Sequence, residues 1–196
     1  MPAAIGILGG TFDPPHAGHV AAAVAAHKQL GLDEVRIIPA GQAPMRSGAP
    51  VASAADRVAM CRLAFAECPW ALVDKRETLR TGTSWSIDTA RELALEFPDA
   101  MRVWILGADQ LARLERWKDI AELCSLVEFA VLSRDGISTV PPPTIAPLIR
   151  LTVLKAPAVH VSSTALREAL RRGDSPRNGL PLGVARHIDE RSLYQA

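Results

Sequence analysis

Apolar runs and amphipathic stretches alternate along the chain from its first residues. Ile5 to Leu8 is a continuous apolar run ending in Gly9-Gly10, the pattern of a buried strand. Ala17 to Leu30 is alanine-rich and closed by Gly31, which predicts a helix. Val35 to Ile38 reads as a second strand stopped by Pro39. The stretch from Ala40 to Ala52 holds Gly, Pro and Ser without periodicity and is expected to be a loop. Ser53 is placed to cap a helix reaching about Ala66. Trp70 to Val73 predicts a short third strand, and Ser86 to Phe97 a helix stopped by Pro98. Val103 to Leu106 is a fourth strand opening into Gly107-Ala108-Asp109, and Phe129 to Leu132 a fifth. From Ser133 to Pro147 the chain is proline-rich and too broken for regular structure. Val159 to Val161 is the candidate for a last strand. A helix is expected from Thr164 to about Arg172, ended by Gly173, and another begins at Pro181. No repeat interrupts this order.

Strands and helices alternating at this spacing predict an α/β fold: a Rossmann-like, doubly wound parallel sheet with helices on both faces and a C-terminal helical segment. The length suits a single domain over residues 1–196. Ligands of such sheets bind beyond the carboxyl ends of the strands, where strand order reverses. The turns at Gly9, Ala40, Asp74, Gly107 and Ser133 are therefore expected on one face.

Composition narrows the setting. The chain is 48% hydrophobic and 22% charged, an ordinary globular balance. A formal net charge of +1 gives no global case for a nucleic-acid or membrane partner, so any anion site must be local. No stretch approaches the roughly 18 apolar residues of a membrane helix. Met1-Pro2-Ala3-Ala4-Ile5 lacks the basic and apolar regions of a signal peptide. Cys61, Cys68 and Cys124 are odd in number and have no CxxC spacing, so they read as buried thiols in a reducing, cytoplasmic compartment.

The chemistry concentrates at the expected turns. Glycines in Gly9-Gly10-Thr11-Phe12 let a backbone approach a phosphate closely. Pro14 and Pro15 then fix the approach to the helix, and His16 and His19 share one face at its amino end, where amides and the dipole favour anions. The spacing fits neither GxGxxG nor a P-loop. A metal pair would need a third ligand, and no HExxH or His/Cys cluster supplies one, so no protein metal site is expected. Near the other end, Ser163 or Thr164 can cap a helix and Arg167 follows one turn later, able to clamp a phosphate. Asp109 suits a ribose hydroxyl or a helix cap, and Trp117 a stacking face or a core position. Residue type alone leaves those two open.

The run GGTFDPPHAGH resembles the signature of the nucleotidyltransferase superfamily named for its His-x-Gly-His tetrad, here His16-Ala17-Gly18-His19. Val161-Ser162-Ser163-Thr164-Ala165-Leu166-Arg167 is similar to the Ile-Ser-Ser-Thr-x-Ile-Arg motif of the same superfamily. Gly107-Ala108-Asp109-Gln110-Leu111, with Leu114 and Trp117, resembles a segment of the bacterial nicotinate-nucleotide adenylyltransferases. So does Thr83-Ser84-Trp85-Ser86-Ile87-Asp88-Thr89, with Trp85 in a tyrosine position. The likeness runs from about Ile5 to Tyr194 and takes in Arg57, Glu77, Arg134 and Ser192-Leu193-Tyr194. One loop departs from it: where that family commonly has Pro-Pro-His-Lys, this chain has Ala43-Pro44-Met45-Arg46.

The resemblance implies transfer of the adenylyl group of ATP to nicotinate mononucleotide, giving deamido-NAD (nicotinate adenine dinucleotide) and pyrophosphate. It implies His16, His19 and Arg167 as catalytic residues. ATP would be held by Gly9, Gly10, Thr11, Phe12, His16, His19, Gly107, Asp109, Ser163, Thr164 and Arg167. The mononucleotide would meet Thr83, Ser84, Trp85, Asp109, Trp117 and Arg134, with amides near Thr83 and Ser84 on its carboxylate. Magnesium is expected as cofactor, bound chiefly through the ATP phosphates. ATP and a pyridine mononucleotide are the expected partners, and a homo-oligomer is compatible with the chain. The rival acceptors are nicotinamide mononucleotide and phosphopantetheine; a non-catalytic nucleotide-binding module is a rival of another class.

Overall fold

The computed structural model describes residues 1–44, 49–133, 137–156, 159–174 and 179–195. Six parallel strands form one sheet: β1 (Ala4–Gly10), β2 (Glu34–Pro39), β3 (Ala71–Val73), β4 (Met101–Gly107), β5 (Glu128–Leu132) and β6 (Leu151–Leu154). Their order across the sheet is β3-β2-β1-β4-β5-β6. The chain winds outward from β1 in one direction and then returns to start again at β4. The reversal of strand order thus falls between β1 and β4, which pair directly through Ala4↔Met101 to Ile7↔Trp104.

Side-chain alternation sends each strand's residues to two cores. Trp104 and Leu106 of β4, with Phe129 and Val131 of β5, enter one core. Val103, Ile105, Ala130 and Leu132 enter the other. The first core is covered by α4 (Ser86–Glu96) and α6 (Ile120–Leu126), through Ile87, Ala90, Leu93, Leu123 and Cys124. The second is covered by α1 (Ala17–Leu30), whose Ala22, Ala23, Ala25 and Ala26 let the helix lie close to the sheet, and by Cys61 of α2 (Ala54–Ala64). Helices therefore lie on both faces, and both faces of the sheet are dry, as the continuous apolar runs require. Two short helices, α3 (Arg76–Leu79) and α5 (Ala108–Leu111), follow β3 and β4. A third, smaller core joins α2 to α7 (Ser163–Arg171) and α8 (Leu182–Glu190) through Met60, Leu166, Val184, Ile188 and Tyr194. No helix of the described residues is long and apolar enough to cross a membrane.

The helix α1 spans the expected residues, and Gly31 closes it in the left-handed conformation at φ 61°. Ser53 caps α2 by accepting from the Asp56 amide. Three expectations need correction. The last strand is Leu151–Leu154, paired with β5, and Val159–Val161 instead makes a tight turn in which the Val161 amide donates to the Val159 carbonyl at 3.0 Å. With Thr152 and Val153 exposed, β6 is an edge strand, a four-residue Leu-Thr-Val-Leu run paired in register with β5. Pro39 ends β2 from inside, since a terminal residue of a ladder can forgo its N–H. Finally, Ser162, not Ser163 or Thr164, caps α7, accepting from the Ala165 amide at 3.2 Å.

Candidate active site

The turns at Gly9, Ala40, Asp74, Gly107 and Ser133 follow the carboxyl ends of β1 to β5, and parallel pairing puts them on one edge of the sheet. A cavity of about 470 Å³ opens there, across the β1–β4 reversal. That volume lies in the range of roughly 300–1,000 Å³ typical of small-molecule sites.

At one end stand Gly9, Gly10, Thr11, His16, Gly18 and His19, with Ser162 and Ser163 beside them. His16 is the extended cap of α1 rather than its first helical residue, and His19 lies in the first turn. The two rings still stack, with centroids 3.8 Å apart. The His16 amide donates to Nδ1 of His19 at 3.1 Å, so a neutral His19 carries its proton on Nε2 and presents a donor there. Phe12, 1% exposed, meets the His19 ring edge-on at 4.8 Å and supports it from behind.

At the other end lie Ser84, Trp85, Ser86, Asp109, Trp117 and Lys118. Trp117 is half-buried and meets Trp104 edge-on at 5.9 Å, so it packs against the core and presents surface to the cavity at once. The Lys118 ammonium sits 5.4 Å from the Trp85 ring centroid. Ser84 ties two loops together: its amide donates to the Gln42 carbonyl at 2.8 Å and its hydroxyl accepts from the Gly41 amide at 3.1 Å. The Ser84 amide is thereby used, and the donors at this end that lack an intrahelical partner are the amides that open α4. Glu77 also lines the cavity; burial pushes its carboxyl pKa up, opposed by a hydrogen bond from Thr89 and by the Arg80 charge.

Three helices of nine residues or more, α1, α4 and α7, bring their amino ends to this one cavity. Each presents roughly half a positive elementary charge. With a chain net charge of only +1, the anion site is local, built from dipoles and a few side chains. Among the described residues no group of three His, Cys, Asp or Glu is arranged to hold a metal ion.

Residues 7–169 match the cytidylyltransferase-like family. A protein of Methylibium petroleiphilum, named "Probable nicotinate-nucleotide adenylyltransferase", is 40% identical over 97% of this chain and 92% of its own length. One of the same name from Aeromonas hydrophila is 38% identical over 97% of each. The chain belongs to the nicotinate-nucleotide adenylyltransferases. The fold agrees: the Plasmodium falciparum nicotinic acid mononucleotide adenylyltransferase complexed with APC superposes with a TM-score of 0.81, at 15% identity, over 98% of this chain and 97% of that one. The same protein complexed with NaAD gives a TM-score of 0.76 at 15% identity, over 97% and 96%.

Of the residues expected from this family's motifs, Gly9, Gly10, Thr11, His16, His19, Ser84, Trp85, Gly107, Asp109, Trp117 and Ser163 line the cavity together. Phe12, Thr83, Thr164 and Arg167 are not among its lining residues. Thr83 bridges to Gln42, and the guanidinium of Arg167 donates to the Asp13 carbonyl at 2.7 Å and to the Thr164 hydroxyl at 3.3 Å. Arg134, Met45 and Arg46 lie outside the described residues. The adenylyltransferase motifs gave no notice of Lys118 and Arg116, which reach the cavity from a turn after α5. Adjacency to Trp117 was the only signal for Lys118, and nothing in the sequence placed it over Trp85. Arg57, 2% exposed, was noted only as part of the resemblance. Its guanidinium donates to the carbonyls of Thr11 and Ala40 at 2.8 and 2.7 Å, joining the turns after β1 and β2.

Proposed function

We propose that this chain transfers the adenylyl group of ATP to nicotinate mononucleotide, giving nicotinate adenine dinucleotide and pyrophosphate, as a single-domain cytoplasmic enzyme. The observation that carries the reading is the cavity itself: the amino ends of α1 and α7 and two stacked histidines at its phosphate-compatible end, the amino end of α4 and two tryptophans at the other. A polyphosphate and a flat anionic ring need those two environments, and they are joined across the strand reversal.

The mononucleotide phosphate oxygen attacks the α-phosphorus of ATP, the bond from that phosphorus to the bridging oxygen breaks, and its electrons leave with pyrophosphate. No enzyme nucleophile is required, so catalysis is positioning and charge stabilisation. His19 donates from Nε2 to phosphate oxygens as charge grows in the transition state, and His16, as the cap of α1, shapes the same end. Arg167 leaves the neutral Asp13 carbonyl for the β- and γ-phosphates, a stronger, charge-assisted pairing. Magnesium, when bound with ATP, would supply further neutralisation of the phosphates there. Trp117 and Trp85 flank the pyridine ring, and the amides opening α4 meet its carboxylate. Asp109, in α5 directly after β4, accepts a ribose hydroxyl.

The deciding experiment is a pyrophosphate-release assay with ATP and each of nicotinate mononucleotide, nicotinamide mononucleotide and phosphopantetheine. Release is expected to be fastest with nicotinate mononucleotide. A faster rate with either other acceptor would replace the substrate assignment, and release with none would replace the enzymatic one.

A further inference from the structure

Behind the phosphate end of the cavity lies a carboxylate that lines none of it. Asp13 is 0% exposed, in the turn between β1 and α1. Its Oδ1 accepts from the Tyr194 hydroxyl at 2.8 Å and the Ala52 amide at 3.1 Å, and its Oδ2 accepts from the Val51 amide at 2.9 Å. The backbone on either side does a second task. The Asp13 carbonyl accepts from Arg167 at 2.7 Å, and the Pro14 carbonyl accepts from the Ser163 hydroxyl at 2.9 Å. One dipeptide therefore carries, on its carbonyls, two residues of α7 assigned to ATP. Its side chain is fastened to a tyrosine that follows α8.

Tyr194 is held firmly. It is 4% exposed and packs with Leu166 of α7 and with Met60. Its φ of 65° and the 48° of Ser192 lie in the left-handed region, which residues bearing side chains occupy only where their surroundings hold them. Burial, then the Asp13 charge, raise the phenol's pKa, so the hydroxyl remains a donor.

We propose that Tyr194 is a positioning residue for adenylyl transfer: its hydroxyl fixes the Asp13 carboxylate, and so sets where Arg167 and Ser163 stand beside the phosphates. The proposal rests on the adenylyl-transfer reading, in which Arg167 meets ATP. The Arg167 guanidinium is 4.0 Å from Asp13 Oδ2, so carboxylate and polyphosphate compete for it. While donors hold the carboxylate back, Arg167 rests on a neutral carbonyl from which phosphate can draw it. Without the Tyr194 hydroxyl, the carboxylate loses one of its donors, and its pull on Arg167, 4.0 Å away, strengthens.

Tyr194→Phe keeps the ring and removes only the donor. Its kcat is expected to fall about tenfold with a raised KM for ATP, the scale of one lost hydrogen bond to a charged group. KM for the mononucleotide should stay within about twofold, since Trp117 and Trp85 are untouched. On an Arg167→Ala background the same substitution should cost almost nothing more, because the effect runs through Arg167. A purely structural tyrosine would lower the melting temperature and leave this non-additivity absent. Wild-type kcat and ATP KM in Tyr194→Phe would overturn the proposal, as would equal losses on both backgrounds. Should that variant not fold, Asp13→Asn exchanges one acceptor for a donor at the same shape. By removing the charge that competes for Arg167 it is expected to leave KM for ATP at or below the wild-type value, and a raised KM for ATP there overturns the proposal. If the unmodified enzyme releases no pyrophosphate from ATP and nicotinate mononucleotide, the underlying reading falls and Tyr194's role with it, an outcome told apart because no variant is needed to see it.

Discussion

His19 combines a tautomer set by the His16 amide with a place at the amino end of α1. A donor fixed in that way acts on developing charge more than on bound ATP. His19→Ala is accordingly expected to lower kcat by about 10² or more, with a much smaller change in KM for ATP, in steady-state assays. Arg80 is the nearby charge in sequence that competes with the α4 amides as the source of nicotinate preference. Its guanidinium is committed to Glu92 at 2.6 Å and Thr89 at 3.3 Å, and it does not line the cavity. Arg80→Ala should therefore preserve most of the ratio of kcat/KM between nicotinate and nicotinamide mononucleotides. Each amide left facing an NH₂ group instead of a carboxylate is worth about tenfold in that ratio. A ratio near one in the variant would hand the preference to charge.

The helix α7 shows how one position decides where an element begins. Ser162, Ser163 and Thr164 are all competent caps, but the Ser163 hydroxyl is spent on the Pro14 carbonyl and only Ser162 reaches the Ala165 amide. Ser162→Ala should cost about 1 kcal/mol in a urea titration. Thr164→Ala, at an exposed site, should stay within about 0.5 kcal/mol. Equal losses would mean that the cap is shared. The cap has a functional side as well, because it orients the amino end of α7 toward the cavity.

Across the molecule, α8 is tied back to α2 by polar contacts as well as by the third core. Asp56, 8% exposed, accepts from Ser53, His187 and Arg191 at 2.6, 3.1 and 3.3 Å. The Ser53 hydroxyl foremost, then His187 and Arg191, hold its carboxyl below the ordinary value of 3.8. A folded pKa below the unfolded one contributes stability above the unfolded value, and that stability is lost as pH falls through the folded one. Melting temperature is thus expected to drop as pH is taken below about 4. Asp56→Asn should melt lower at neutral pH and show a shallower acid limb. An acid limb unchanged in the variant would exclude this tie as its cause. Because α8 leads to Tyr194, loosening it is also expected to reach the phosphate end of the cavity.

Local pattern determined the sheet and most of its helices. Apolar runs of strand length between amphipathic stretches allow few arrangements, and β1, α1, α2, α4 and β5 lie within a few residues of where periodicity puts them. The turns that bear the cavity were legible for the same reason, since parallel strands must end on one side. The edge strand β6 was not, because an apolar run of only four residues, Leu151–Leu154, is too short for its period to be told, and its pairing with β5 decides it. Short α3 and α5 carry no periodic signal and form where the chain folds back over the site. Motif spacing brought His16, His19, Asp109 and Trp117 forward as site residues. Their neighbours across the chain were beyond its reach: Lys118 over Trp85, Arg57 between two turns, and Tyr194 on Asp13. Those contacts join residues far apart in sequence, and only packing of the finished sheet and helices brings them within hydrogen-bond or ring distance.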